Sequence, residues 1–260
     1  MAQAFLDQDG VVRTLFYPRR ELRSPGGDAQ LVSVMVDAGV VVYGHFHLAD
    51  PAAPVLLFFH GNGEIASDYD PLAGCFNRVG LSLLVMDYRG YGISDGEPST
   101  SNLFRDAVTI FDALPHLLAS RCRSTQIFVM GRSLGSAAAL ELADQRGKSV
   151  AGIIIESGFA FTRSLLARIG LPLGQYDEER DGHGNARKIA RYRGPTLILH
   201  GGDDSLITPD QALALYDSSG AQDKDLLIVP NADHNNLMVV GSAPYFDALR
   251  SFVASNRGQC

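Results

Sequence analysis

One stretch constrains this chain more than any other: QIFVMGRSLGSAAALELA, from Gln126 to Ala143. Its opening, Ile127-Phe128-Val129-Met130, is a short continuous apolar run of the kind that forms a buried strand. The run breaks at Gly131-Arg132-Ser133-Leu134-Gly135, a Gly-x-Ser-x-Gly pentapeptide, and resumes at Ser136 as an alanine- and leucine-rich helix former. Strand, sharp turn and helix together give the pentapeptide its meaning, because such a turn holds the serine in a strained backbone conformation at the C-terminal edge of a sheet. Glycine is required at its flanks where a Cβ would strike the neighbouring strand or helix. The free amides and dipole at the helix start favour negative charge developing beside the serine. Ser133 is the candidate nucleophile. The competing reading is a glycine-bracketed helix cap, for which serine is also suited and which needs no partners elsewhere.

A serine hydroxyl is a weak nucleophile at neutral pH and needs a base, usually histidine, oriented by a carboxylate. After a strand–elbow–helix unit the acid and the base should follow the serine, each in a loop after a later strand. The apolar run Pro195 to Leu199 ends in His200-Gly201-Gly202-Asp203-Asp204, and Leu226 to Val229 ends in Pro230-Asn231-Ala232-Asp233-His234. The order Ser133, Asp204, His234 is the one the mechanism predicts, each at the C-terminal end of its strand, where open sheets bind ligands. His60 and His200 start tight glycine turns and are expected to bond to backbone, and His116 falls in a helix, so all three are weaker bases. The earlier run Val55 to Phe59 ends in His60-Gly61-Asn62-Gly63-Glu64, a turn able to aim backbone N–H groups into a cleft as an oxyanion hole requires.

Elsewhere the pattern supplies the frame. Residues 1–30, with Tyr17-Pro18-Arg19-Arg20 and Ser24-Pro25-Gly26-Gly27, read as an irregular arm. Leu31 to Val36 and Val40 to His47 form a hairpin turning at Asp37-Ala38-Gly39. His45 and His47 share one face of the second strand and are spaced like metal ligands, but with no further ligands near them in sequence they are expected to face solvent. Val55 to Phe59, Leu81 to Met86 and Val150 to Ile155 are buried strands of a parallel sheet. Helices are expected over Ile65–Arg78, over Asn102–Leu118 with Pro115 disturbing its end, from Gln211, and over Tyr245–Val253. The charged residues of the loop from Asp87 to Pro98 either hold a rigid loop together or line the site, and the structural role is favoured. Segment 159–194 is either a small lid inserted over a pocket or a surface crossover with extra helix, and His183 within it is expected to be exposed. Alternating strands and helices after residue 55 imply an α/β fold: a mostly parallel sheet of about eight strands, an N-terminal antiparallel hairpin, helices on both faces, and one domain spanning 1–260.

Composition excludes several classes. A net charge of −7 with no Lys/Arg run argues against nucleic acid as a partner. Cys75, Cys122 and Cys260 are odd in number and scattered, forming neither a zinc spacing nor a disulfide framework, which fits a reducing compartment. Met1 to Gly10 carries no basic apolar leader, and no apolar run approaches the roughly 20 residues needed to span a bilayer. A cytoplasmic monomer is expected.

Four blocks carry a resemblance: His60-Gly61-Asn62-Gly63, Asp87-Tyr88-Arg89-Gly90-Tyr91-Gly92-Ile93-Ser94, Gly131-Arg132-Ser133-Leu134-Gly135, and His200-Gly201-Gly202-Asp203-Asp204 with Ala232-Asp233-His234-Asn235. From about residue 54 onward the chain resembles the α/β-hydrolase superfamily, and within it the Bem46-like or serine-aminopeptidase-like branch that includes α/β-hydrolase domain-containing proteins 13 and 17. The resemblance implies Ser133 as nucleophile, His234 as base, Asp204 as acid, and an oxyanion hole from the backbone amides of Asn62 and Leu134. It implies no metal and no organic cofactor. Relatives often carry glycine where this chain has Asp233, which puts a second carboxylate next to the base. The expected activity is hydrolysis of carboxylic esters or thioesters of a small acyl substrate. The alternatives are a small-peptide or aminopeptidase-type hydrolase, with Glu64, Glu156 or Asp233 anchoring a substrate amine, and a non-catalytic binding protein on the same fold.

Overall fold

The structure is a computed structural model that describes residues 4–21 and 28–258. Ser24-Pro25-Gly26-Gly27 of the expected arm and Cys260 lie outside the described residues. Eight strands form one sheet: β1 (Gln30–Asp37), β2 (Val40–His47), β3 (Val55–Phe59), β4 (Ser82–Met86), β5 (Ile127–Arg132), β6 (Gly152–Glu156), β7 (Thr196–Gly201) and β8 (Lys224–Val229). Their order is β1-β2-β4-β3-β5-β6-β7-β8. The β1/β2 and β2/β4 pairs are antiparallel, and every later pair is parallel. The hairpin turns at Gly39, whose φ of +73° suits glycine.

The helices are α1 (Asp9–Leu15), α2 (Ala73–Arg78), α3 (Thr100–Leu118), α4 (Gly135–Arg146), α5 (Thr162–Arg168), α6 (Glu178–Asp181), α7 (Asn185–Arg191), α8 (Pro209–Ser218), α9 (Leu237–Val240) and α10 (Ser242–Ser255). No helix among the described residues is long and apolar enough to cross a membrane. Fully buried strands carry apolar residues on both faces, so two cores form. Leu57, Phe59, Val129 and Ile155 pack with α3, α4, α7 and α8, whereas Leu56, Phe58, Met130 and Ile154 pack with α2 and α10.

Four expectations need correction. The arm is partly helical: Leu6, Val11, Leu15 and Phe16 bury against the first core, the i,i+4 pair Val11/Leu15 giving α1 its apolar edge. The helix expected over Ile65–Arg78 is a 3-10 run, Ala66–Leu72, followed by α2, because Pro71 cannot donate to an α-helical ladder there. Pro115, by contrast, is carried inside α3 to Leu118; so near the end of a helix capped by Ser99 it sacrifices one bond without breaking the rod. His45 and His47 are not solvent-facing. β2 is flanked by β1 and β4, and the 66–72 run covers the histidine-bearing face, leaving the two residues 6% and 7% exposed.

His183 is the fourth correction, being 1% exposed. Its amide donates to Thr162 Oγ1 at 2.8 Å, its Nδ1 lies 2.9 Å from the same oxygen, and the rings of Phe104 and Phe159 meet it edge-on. Segment 159–194 is thereby folded onto the first core, with Lys188 of α7 paired to Glu141 of α4 at 2.6 Å.

Candidate active site

Ser133 follows β5 with φ of +52°, a left-handed value that a non-glycine residue holds only when its surroundings enforce it. The enforcement is visible. Its N–H donates to Glu156 O at 2.9 Å, and its own carbonyl accepts from Ser136 Oγ at 2.6 Å. A Cβ at Gly131 would collide with the backbone of Gly135 and Ser136, and one at Gly135 with the carbonyls of Phe59 and His60 at the end of β3. Both glycines are therefore dictated by how tightly the elbow sits between β3 and α4.

The residues singled out from the sequence converge. His234 Nε2 lies 3.0 Å from Ser133 Oγ, and His234 Nδ1 lies 2.7 Å from Asp204 Oδ2. Asp204 is 2% exposed, and its other oxygen accepts the amides of Leu206 and Ile207 at 3.0 and 2.9 Å. Burial alone would raise its carboxyl, but the His234 hydrogen bond and charge outweigh that and hold it below the usual carboxylate range. An ionised Asp204 accepts a hydrogen bond from the Nδ1–H of His234, which keeps the proton on Nδ1 and leaves Nε2 free to accept from the serine hydroxyl. Asp233, the second carboxylate beside the base, turns away: it accepts the amides of Asn235 and Asn236 at 2.8 and 3.1 Å. His200 Nε2 donates to Ile207 O at 2.7 Å and His60 Nδ1 lies 2.8 Å from Gly61 O, so both bond to backbone as expected.

Asn62 and Leu134 lie in the turns after β3 and β5. The Asn62 side chain is committed to structure, its Oδ1 accepting the Tyr17 amide and the Tyr91 hydroxyl, each at 2.7 Å. Its backbone N–H and that of Leu134 donate to no protein group among the described residues. The loop from Asp87 to Pro98 is structural, as its charge pattern suggested. Asp87 accepts the Ala66 amide at 2.8 Å, and Arg89 makes a forked pair with Asp106 at 2.6 and 2.8 Å.

A group the sequence did not single out lies directly beneath. Arg132, buried between the elbow glycine and Ser133, pairs with Glu64 and with Glu156, the latter at 3.2 Å, and donates to His234 O at 2.7 Å. Glu64 in turn accepts the Gly61 amide and the Tyr69 hydroxyl, each at 2.7 Å, and Glu156 accepts the Tyr245 hydroxyl at 2.6 Å. Burial would raise the Glu64 carboxyl, but Arg132 and its hydrogen bonds overcome this and lower it; at Glu156 burial wins and the carboxyl is raised. A cleft of about 450 Å³ opens beside the network, with Glu64, Arg132, Glu156, Met238 and Phe246 among its walls. Glu64 and Glu156 were candidate amine anchors in the sequence, but for Arg132 the advance signal was only that a charged residue closes an otherwise apolar strand.

Residues 50–171 match the serine aminopeptidase S33 family of hydrolases. The chain is 29% identical over 210 residues to protein bem46 of Schizosaccharomyces pombe, covering 78% of this chain and 68% of that one. It is 30% identical over 213 residues to an uncharacterized protein of Mycobacterium tuberculosis, covering 80% and 72%. Among solved structures, the Pyrococcus furiosus esterase Pf2001 superposes with a TM-score of 0.74 at 17% identity, over 94% of this chain and 99% of that one, a likeness of fold.

Proposed function

The chain belongs to the Bem46-like branch of the α/β-hydrolase superfamily, and from that membership we propose that it is a serine hydrolase cleaving carboxylic esters or thioesters through an acyl-enzyme on Ser133. The observation that carries this reading is the hydrogen-bonded line from Asp204 through His234 to Ser133 Oγ. His234 takes the Ser133 proton as Oγ attacks the acyl carbon. The amides of Asn62 and Leu134 stabilise the tetrahedral oxyanion. The imidazolium then protonates the departing alkoxide or thiolate, and His234 activates a water that releases the carboxylic acid from Ser133. Asp204 keeps the imidazole in the required tautomer and stabilises its charged form. No step calls for a metal or organic cofactor.

Esters are favoured over aminoacyl amides by what has become of the acidic groups. An aminopeptidase needs a carboxylate free to hold the substrate amine. Glu64 and Glu156 both face Arg132, and Asp233 caps the turn after the histidine. A non-catalytic scaffold would have no use for a strained Ser133 backbone aligned on a base. A cytoplasmic location completes the reading, with Cys75 and Cys122 as free thiols, and the working unit is a monomer.

A fluorophosphonate probe tests the class. The wild type should label covalently and Ser133→Ala should not; an unlabelled wild type or an equally labelled variant sinks the proposal. Nitrophenyl esters set beside aminoacyl anilides test the substrate, and faster anilide cleavage would overturn the preference for esters.

A further inference from the structure

Alternate residues of a strand share a face, so the pattern His-x-His on β2 places two imidazoles side by side. The sequence offers them no neighbour, but the fold does. Asp70, in the 3-10 run that crosses over β2, brings its Oδ1 to 2.8 Å from His45 Nδ1 and 2.9 Å from His47 Nε2. The three ligand atoms all lie within 4.8 Å of one another. The geometry points to a binding site for one divalent transition-metal ion, zinc by the chemistry of its donors, held by His45, His47 and Asp70.

The donor set selects the class of ion. Two imidazole nitrogens and one carboxylate oxygen are the mixture that zinc accepts, whereas calcium and magnesium demand oxygen throughout. A ligand histidine binds a metal in its neutral form, through a ring nitrogen lone pair. Zinc bonds of about 2.0–2.2 Å set ligand atoms roughly 3.3 Å apart in a tetrahedron, so loading asks Asp70 Oδ1 to draw back about half an ångström from each imidazole nitrogen. Three protein ligands would leave the fourth position of the ion to a water.

The ion is structural rather than catalytic. His45 and His47 pair with Val85 and Leu83 in the body of the sheet, and β4 and β3 separate β2 from β5, whose end carries Ser133. What it staples is the 66–72 run to β2. That run includes Tyr69, which bonds Glu64, which bonds the Gly61 amide beside Asn62. Metal loading therefore steadies the turn after β3 from behind. The competing description is a carboxylate that accepts two imidazole N–H bonds and binds nothing.

Tag-free protein stripped with a chelator decides between them by calorimetric titration with zinc chloride. The expected result is one ion per chain at micromolar affinity or tighter, with the melting temperature rising by about 5–10 °C at a hundred-fold excess over Kd. His47→Gln and Asp70→Asn should each weaken binding at least ten-fold. X-ray absorption of the zinc-loaded wild type localises the ion should a variant fail to fold, and it should report two imidazoles with oxygen ligands at about 2.0–2.2 Å. Absent stoichiometric binding at 100 times micromolar zinc, variants that bind as the wild type does, or a thiolate-bound ion would each overturn the assignment.

Discussion

At Ser133 a backbone held at φ +52° and a hydroxyl 3.0 Å from His234 Nε2 are two consequences of one turn, so each can be disturbed separately. Asp204→Asn keeps the shape but presents an amide to Nδ1, which favours the wrong tautomer. The protein should remain folded with KM little changed, while kcat for a nitrophenyl ester falls on the order of 10³–10⁴-fold. A fall below ten-fold would remove Asp204 from the acid role. The complementary change, Gly135→Ala, leaves every polar group of the site in place but drives a Cβ into the carbonyls of Phe59 and His60. Backbone cannot swing aside as a flexible side chain would, so a loss of about 1–3 kcal/mol in urea unfolding is expected, with slower turnover because His60 begins the turn that carries Asn62. These residues were legible beforehand because each announces itself locally: a glycine pattern after an apolar run, or an aspartate or histidine just past a strand end. His183 was not, because nothing near it in sequence shows that Thr162 and two phenylalanine rings enclose it.

Among the elements, segment 159–194 is the one whose pattern resisted reading, and His183 is the pin that folds it down. Three short helices, α5 to α7, leave no long periodic face, so their burial depends on distant partners on α3 and α4. Burial depresses the His183 imidazole to about 3, with the nearby Lys188 ammonium acting in the same direction. The folded state thus holds a neutral ring that the unfolded chain protonates near pH 6.5. The contribution is fully present above that unfolded value and is lost at about 1.4 kcal/mol per pH unit as pH falls from there towards the folded value. Between pH 7.5 and pH 5 this one group should remove roughly 2 kcal/mol from the unfolding free energy. In His183→Asn, urea unfolding at the two pH values should lack that part of the difference; an undiminished acid loss would show that the ring is not buried neutral. The strands, by comparison, were readable throughout, since continuous apolar runs between Gly, Pro and Asp admit few alternatives at lengths of five or six residues.

Across the whole molecule, the site exists because four loops at one edge of the sheet hold a common register, and Arg132 is where they meet. Its guanidinium faces Glu64 from the turn after β3, Glu156 at the end of β6 and the His234 carbonyl after β8, while its own backbone begins the elbow. Partners drawn from positions 64, 156 and 234 leave no spacing in the sequence by which the cluster could be recognised. The strand order that brings them together is a property of the finished sheet. Opposing charges outweigh the desolvation of Arg132 and keep it protonated, whereas buried Glu156 depends on that charge to remain tolerable. Arg132→Met therefore strands Glu156 and frees the histidine loop together. Stability should fall by about 3–5 kcal/mol, and kcat should fall ten- to hundred-fold with KM nearly constant, since the misplaced group is the base rather than the substrate. Arg132→Lys separates the two effects: it restores a charge to Glu156 but cannot span three acceptors at once, because an ammonium lacks the planar fork. The lysine variant should regain most of the stability while its fluorophosphonate labelling of Ser133 stays slow. Equal recovery of both would reduce Arg132 to a buried counter-charge with no part in aligning His234.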